Sequence, residues 1–419
     1  MMNQRISRKI PATSFALAVL LASVTPAPSQ DREPNQSTFG WLYEHQPQIT
    51  SAAAAKTAAA QHAAKRADSS SPGTNAGTFV TFDVPAAVDG TYSVSIALGG
   101  DVTGYYYDAN NLSHGFLRTK SGNITTFDAP AAVNGTYPAG IDPLGVITGY
   151  YCDVNNLCHG FLRTPNGVVT SFDPADIGGT YPLGIGPQGS ITGYYWDADY
   201  VGRGFVRAPN GSLITFAVPD AVNGTYPVSI PSSAAAVPNI NTSFGGQIAG
   251  AYVDSVYNVH GFVGTNGVTS SFDPPGELGF YAPYSFGPGL GINPAGAIAG
   301  YYFETVAGNP FGGNYRGFLR SPDGSFTTFD AASASSCCLW TFPYSINPSG
   351  VITGSYNDTS SVNHGFLRDG DGTVTTLDVP GAGTGFGQGT VSLSINTAGV
   401  TTGFYIDANN LHHGFLYEP

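Results

Sequence analysis

Four cysteines and eight histidines stand out in this 419-residue chain as side chains able to bridge, ligate or move protons. Cys152 and Cys158 flank the short loop 153–157, and other copies of the same segment carry Tyr107 with Ser113, and Val253 with Val259, at the two positions. Residues that close a hairpin face each other across a β-ladder, so these two thiols are expected to form a disulfide. Cys337 and Cys338 are adjacent. They can join only as a vicinal disulfide, pair elsewhere or stay reduced. No cysteine spacing matches a metal site, and no metal is expected.

Histidine recurs as His114, His159, His260, His364 and His413, each followed by Gly-Phe, while Arg203 and Arg316 take the same place in two further copies. A residue repeated once per copy is spread around a molecule rather than gathered at one point. A structural role is therefore expected, with the imidazole hydrogen-bonded to a neighbouring loop or strand. The Asp of a recurring Thr-Phe-Asp piece is read likewise, as an acceptor that orders a turn or loop. The segment Asp108-Ala109-Asn110-Asn111, with copies at 153–156 and 407–410, offers oxygens that suit Ca2+, but the spacing is not that of an EF-hand. An Asx-type hairpin turn is the preferred reading and Ca2+ the alternative; no other cofactor is expected.

Residues shared by every copy are needed to build the copy, so a ligand site is sought where copies differ. Extra residues occur around 231–239, 281–290 and 305–315, and 331–340 is divergent. All four segments are expected on one face. They bring Tyr284, Phe286, Phe311 and Trp340, joined by Trp196, and Glu304 and Arg316 replace the usual Asp and His of their copy. Aromatic surface with a few polar groups suits sugar rings or a protein partner. The competing reading is that these aromatics only pack their own loops and that Glu304 pairs with Arg316 across a widened hairpin. A glycan hydrolase or lyase would need two converging acid/base groups. None is visible, so catalytic residues are assigned to no position. A binding or interaction module for polysaccharide or protein is the leading reading; a glycan-active enzyme or a structural surface component are the others.

The elements that carry these residues follow from a repeat. Thr-Phe-Asp pieces (Thr81-Phe82-Asp83 and its counterparts near 126, 171, 215, 271, 328 and 376) alternate with Ser-Ile-Asn, Ile-Thr-Gly-Tyr-Tyr and His-Gly-Phe-Leu-Arg pieces. Successive His-Gly-Phe positions lie 45, 44, 57, 56, 48 and 49 residues apart, the size of a four-stranded propeller blade. With 56 glycines, 12% aromatics and 10% charged residues, the chain is expected to be an all-β, seven-bladed β-propeller over 78–419. The first landmark is a Thr-Phe-Asp piece and the last a His-Gly-Phe piece. Residues 78–84 are therefore expected to be the outermost strand of the last blade, paired with 414–417.

The unit resembles the His-Ala-Phe (HAF) type repeats of bacterial extracellular proteins, written here as His-Gly-Phe-Leu-Arg, Thr-Phe-Asp-Val-Pro and Ile-Asn-x-x-Gly. That resemblance covers the chain from about residue 78 onward and implies a repeat type, with no activity or residue set attached.

Residues 1–29 read as a signal peptide, with Arg5, Arg8 and Lys9 ahead of an apolar run at 15–24 too short to span a bilayer. Residues 30–77 read as an Ala/Ser/Gln-rich linker, disordered or partly helical. Secretion, extracellular or periplasmic, follows as the expected location, with no membrane span and a monomer as the expected state. A net charge of −13 without a basic stripe argues against nucleic acid and anionic lipid surfaces.

Overall fold

The computed structural model describes residues 77–174, 178–229, 247–265, 268–275, 290–306, 309–331 and 340–419, with side chains for all but 188, 305, 306 and 309–312. The expected signal peptide and linker, apart from Gly77, lie outside the described residues, as do Tyr284, Phe286, Cys337 and Cys338. Among the described residues no helix is long and apolar enough to cross a membrane.

After β1 (Thr78–Phe82) the strands fall into seven units. Unit 1 is β2 (Thr91–Ile96), β3 (Val102–Tyr107), β4 (Ser113–Arg118) and β5 (Ile124–Phe127). Unit 2 is β6 (Thr136–Ile141), β7 (Ile147–Cys152), β8 (Cys158–Arg163) and β9 (Val169–Phe172). Unit 3 is β10 (Thr180–Ile185), β11 (Ile191–Trp196), β12 (Gly202–Arg207) and β13 (Leu213–Phe216). Unit 4 is β14 (Gly224–Ser229), β15 (Gln247–Val253), β16 (Val259–Thr265) and β17 (Val268–Phe272). Unit 5 is β18 (Gly291–Ile292), β19 (Ile298–Val306), β20 (Asn309–Arg320) and β21 (Phe326–Phe329). Unit 6 is β22 (Thr341–Ile346), β23 (Ile352–Asn357), β24 (Asn363–Arg368) and β25 (Val374–Leu377). Unit 7 is β26 (Gly389–Ile395), β27 (Thr401–Ile406) and β28 (His412–Glu418), and its fourth strand is β1. β1 pairs antiparallel with β28 from Thr78 opposite Glu418 to Phe82 opposite Gly414.

Each unit is an antiparallel meander in chain order, the arrangement that β-branched and aromatic runs separated by Asp- and Gly-bearing turns favour. Units are joined edge to edge by repeated contacts. A Thr at the head of the first strand accepts the amide of the link that enters it, as Thr91 does from Val84 (3.0 Å) and Thr136 from Ala129 (3.2 Å). The Arg closing a third strand lies over the Phe of the preceding unit's fourth strand, as Arg163 over Phe127 at 4.8 Å and Arg368 over Phe329 at 4.7 Å. The apolar core is likewise shared between neighbours: Phe127 and Leu117 of unit 1 pack on Ile147 and Phe161 of unit 2. Unit 7 meets unit 1 in the same way, through Ile96 N donating to Ser394 Oγ (3.4 Å) and Asn396 Nδ2 donating to Ala97 O (3.3 Å).

The divergent segments 231–239, 281–289 and 332–339 lie outside the described residues. The described strand ends beside them differ in place: Ser229 and Gln247 stand at the end of unit 4 opposite its His-preceding hairpin, whereas Thr305, Gly313 and Trp340 stand at the hairpin end of units 5 and 6.

Candidate ligand site

The first strand of a unit slips register against the second at one fixed place. In unit 1 the ladder skips from Ser93 to Ser95, and units 2, 3, 4, 6 and 7 skip at the equivalent residue. A bulge re-aims the extra side chain. Here the extra residues are Val94, Ala139, Leu183, Val228, Tyr344 and Leu393, and every one of them lines a single axial cavity of about 270 Å³. First-strand residues of all seven units contribute to its wall. Ala139 is the smallest of the bulged side chains, so the side chain reaching inward is shortest at unit 2. No Asp, Glu, His, Lys or Arg is among the described residues that line it.

Above the bulges runs a belt of tyrosines. Tyr92 stacks on Tyr105 (4.9 Å between centroids), Tyr137 on Tyr150 (4.9 Å) and Tyr181 on Tyr194 (5.0 Å). Edge-on contacts then link one unit to the next: Phe404 to Tyr92 (5.3 Å), Tyr105 to Tyr137 (5.7 Å), Tyr150 to Tyr181 (5.2 Å) and Tyr194 to Tyr226 (5.1 Å). Glycine makes the stacking possible. A Cβ on Gly149 would collide with the Tyr137 carbonyl, and one on Gly193 with that of Tyr181, so only glycine lets the two strands bring their rings face to face. Because the rings cover one another's faces, a ligand meets their edges, which carry the positive rim of the quadrupole.

The polar groups of the wall are hydroxyls. Ser95, Ser229 and Ser394 each accept an amide of the adjoining unit, from Ile141 (3.3 Å), Ile292 (3.3 Å) and Ile96 (3.4 Å), and their own O–H hydrogens are not used in these bonds. Burial raises the pKa of Tyr181, and burial followed by the neighbouring tyrosines raises that of Tyr194 far above the ordinary phenol value. His412 stacks on Tyr92 at 4.6 Å; burial first, and the charge of His413 second, push its pKa down to about 4. The lining is thus neutral around pH 7.

The recurring histidines sit elsewhere, at the hairpin end of each unit. Nδ1 of His114, His159, His260, His364 and His413 lies 2.8–2.9 Å from Asp128, Asp173, Asp273, Asp378 and Asp83, the Thr-Phe-Asp aspartates. Nε2 lies 3.5–3.9 Å from the hairpin aspartates Asp108, Asp153, Asp254, Asp358 and Asp407. Each imidazole is stacked on a tyrosine, as His159 on Tyr151 (5.2 Å). The structural role expected for these residues is what the geometry describes, one clamp per unit. Unit 3 has Ala217 in place of the Thr-Phe-Asp aspartate, and Arg203 pairs there with the hairpin Asp197 (2.7 Å). Asp108, Asp153 and Asp407 each accept two amides of their own hairpin on Oδ1, an Asx turn.

Of the ligand residues expected from sequence, Glu304 and Arg316 form an ion pair (3.2 Å), and Arg316 also reaches Asp330 (3.0 Å), which leads the effects that raise its pKa. They are the unit 5 version of the clamp. Trp340 is 41% exposed and packs edge-on against Tyr315 (5.6 Å). Trp196 packs edge-on behind the belt, against Tyr194 (5.7 Å) and Tyr226 (6.0 Å). Phe311 belongs to β20, with its side chain outside the described residues. The structure therefore packs Trp196 against one wall residue, Tyr194, without placing it in the lining, and leaves Arg316 and Glu304 occupied with each other. Cys152 and Cys158 stand opposite in the β7–β8 ladder and are bridged.

No protein-family model and no curated protein matches this chain. Among solved structures, the β-propeller domain of the Trilobed protease from Pyrococcus furiosus aligns with a TM-score of 0.54 at 8% identity, covering 78% of this chain and 95% of that one. A streptogramin B lyase aligns with a TM-score of 0.51 at 15% identity, covering 82% and 98%. The fold is a β-propeller. At such identities the likeness is one of fold alone. The protease domain has an open Velcro topology, whereas in this propeller β1 is paired with β28.

Proposed function

We propose that this propeller is an extracellular binding module that takes a neutral sugar residue of a glycan into its axial cavity. The observation that carries the reading is the lining: about 270 Å³ walled by tyrosine edges, bulged apolar side chains and serine hydroxyls, with no charge among the described residues. That volume suits one or two sugar rings. Ring edges and O–H groups present hydrogen to a ligand rich in oxygen, while a carboxylate or ammonium would lose its hydration without gaining a partner. Acid/base turnover of a glycan needs paired carboxylates near the scissile bond, and the described residues of the lining include none. The bridged Cys152–Cys158 pair accords with an exported chain, as does the apolar run at 15–24.

The test is a glycan array probed with the full-length chain and read by affinity. Neutral hexose-bearing glycans are expected to bind at least about tenfold more tightly than their uronic acid or amino-sugar counterparts, a gap of about 1.4 kcal/mol. Preferential capture of charged glycans would contradict the reading.

A further inference from the structure

The residue that follows the Ile ending a first strand closes the turn to the second strand. In units 5, 6 and 7 it is Asn293, Asn347 and Asn396. Each turns Oδ1 back on its own turn, accepting the amide four residues on: Ala297 (3.0 Å), Val351 (2.9 Å) and Val400 (3.0 Å). Each points Nδ2 sideways and donates to the main-chain oxygen of the equivalent residue in the next unit. These bonds run from Asn293 to Asn347 O, from Asn347 to Asn396 O and from Asn396 to Ala97 O, all at 3.3 Å. Every receiving oxygen also accepts a glycine amide of its own turn, and so takes two hydrogen bonds.

In unit 2 the position is Asp142, only 1% exposed. Its Oδ1 accepts Leu144 N (2.9 Å) and Val146 N (2.8 Å), so the carboxyl is oriented as the Asn amides are. Oδ2 then stands where Nδ2 stands in units 5, 6 and 7, buried and with no hydrogen-bond partner. By the same repeat geometry it faces the main-chain oxygen of Gly186 in unit 3, which accepts one bond, from Gly189 N at 3.2 Å. A carboxylate oxygen against a carbonyl oxygen is repulsive; a carboxylic acid there has the hydrogen that Nδ2 supplies elsewhere.

We propose that Asp142 is a proton-operated latch between units 2 and 3: neutral, it donates from Oδ2 to Gly186 O, and ionised, it loses that bond and leaves two oxygens opposed. Burial is the largest effect on this carboxyl and raises its pKa against three amides of its own turn, with no charged side chain contributing. Strands β2, β6, β7 and β10, which pack around it, hold tyrosines as their only titratable groups besides the bridged cysteine. Asp101 of the turn in unit 1 is engaged by Lys120 N (2.8 Å). Gly140, Ile141 and Ile185 of the same seam line the axial cavity, so the proton is linked to its wall, whatever ligand that cavity takes.

The sign follows from a pKa raised on folding: the contribution is complete below the ordinary aspartate value, about pH 4, and fades as pH rises through the folded value. Thermal melting of the full-length chain and of Asp142→Asn is the test, at steps from about pH 4 to about pH 8. The Asn variant carries the donor at every pH. It is expected to match the wild type at the acid end and to melt progressively higher above it, by roughly 2 °C or more at the plateau. The wild-type-minus-variant infrared difference should show a neutral carboxyl band that vanishes over the same interval. Asp142→Ala, with neither donor nor titration, should melt below Asp142→Asn by an amount that does not change with pH. A wild-type-to-Asn gap that is constant with pH, or the absence of a neutral carboxyl band above about pH 4, would overturn the latch.

Discussion

At the scale of single residues, the clamps and the inter-unit cations set the chemistry of stability. Burial lowers the pKa of His413, but the hydrogen bond and charge of Asp83 with those of Asp407 outweigh it, and the net shift is upward. Its stabilisation is therefore fully present below about pH 6.5 and is lost as pH rises through the folded value. His412, held down to about 4, has the opposite sign: its contribution is present above about pH 6.5 and lost as pH falls toward that value. Urea midpoints of His413→Gln and His412→Asn against pH should thus lose slope on opposite sides of neutrality; parallel profiles would refute the assignment. Arg163 is 8% exposed over Phe127, and Arg163→Ala should cost about 1–2 kcal/mol. A double-mutant cycle with Phe127→Leu should show coupling, since the guanidinium lies on the face of that ring. The sequence announced the histidines as structural because they recur, but not their partners. Asp83 and His413 meet once the first and last strands pair, a pairing that the phase of the repeat anticipates although the contact of the two side chains is not written in any local spacing.

At the scale of elements, strand order was legible because turn chemistry and period act locally, while the bulges were not. A register skip leaves no signature in Thr-Tyr-Ser-Val-Ser-Ile beyond the strand pattern itself, yet it aims Val94 and its five counterparts inward and so makes the cavity. The tyrosines that form the belt were visible in Ile-Thr-Gly-Tyr-Tyr. They read as a repeat marker because stacking depends on the paired first strand. β1 carries Phe79, Val80 and Phe82 onto the cores beside β28, and removing residues 78–82 would uncover the β28 edge. That truncation should lower the thermal midpoint and yield multimers by light scattering; a monomer of unchanged stability would show that the pairing is dispensable. Reducing Cys152–Cys158, which closes a loop with a separation of 6 residues, should cost about 2 kcal/mol and leave the fold intact by circular dichroism.

At the scale of the whole molecule, symmetry explains both what could be read and what misled. Repetition made the fold evident from residue spacing alone. It also directed the search for a site to places where symmetry breaks, and of those Glu304 and Arg316 proved to be one more clamp. The axial cavity arises instead from what the units share, and its asymmetry comes from small differences such as Ala139 where unit 6 has Tyr344. Ala139→Tyr fills the cavity with a side chain that the same position already tolerates in unit 6, whereas Trp340→Ala alters the divergent end and leaves the cavity untouched. Calorimetric titration of the tightest glycan into wild type and these two variants is the most direct measurement. The account predicts that Ala139→Tyr weakens binding at least about tenfold and that Trp340→Ala does not change it. Full binding by the filled variant, with loss in Trp340→Ala, would contradict the account and return the site to the divergent loops.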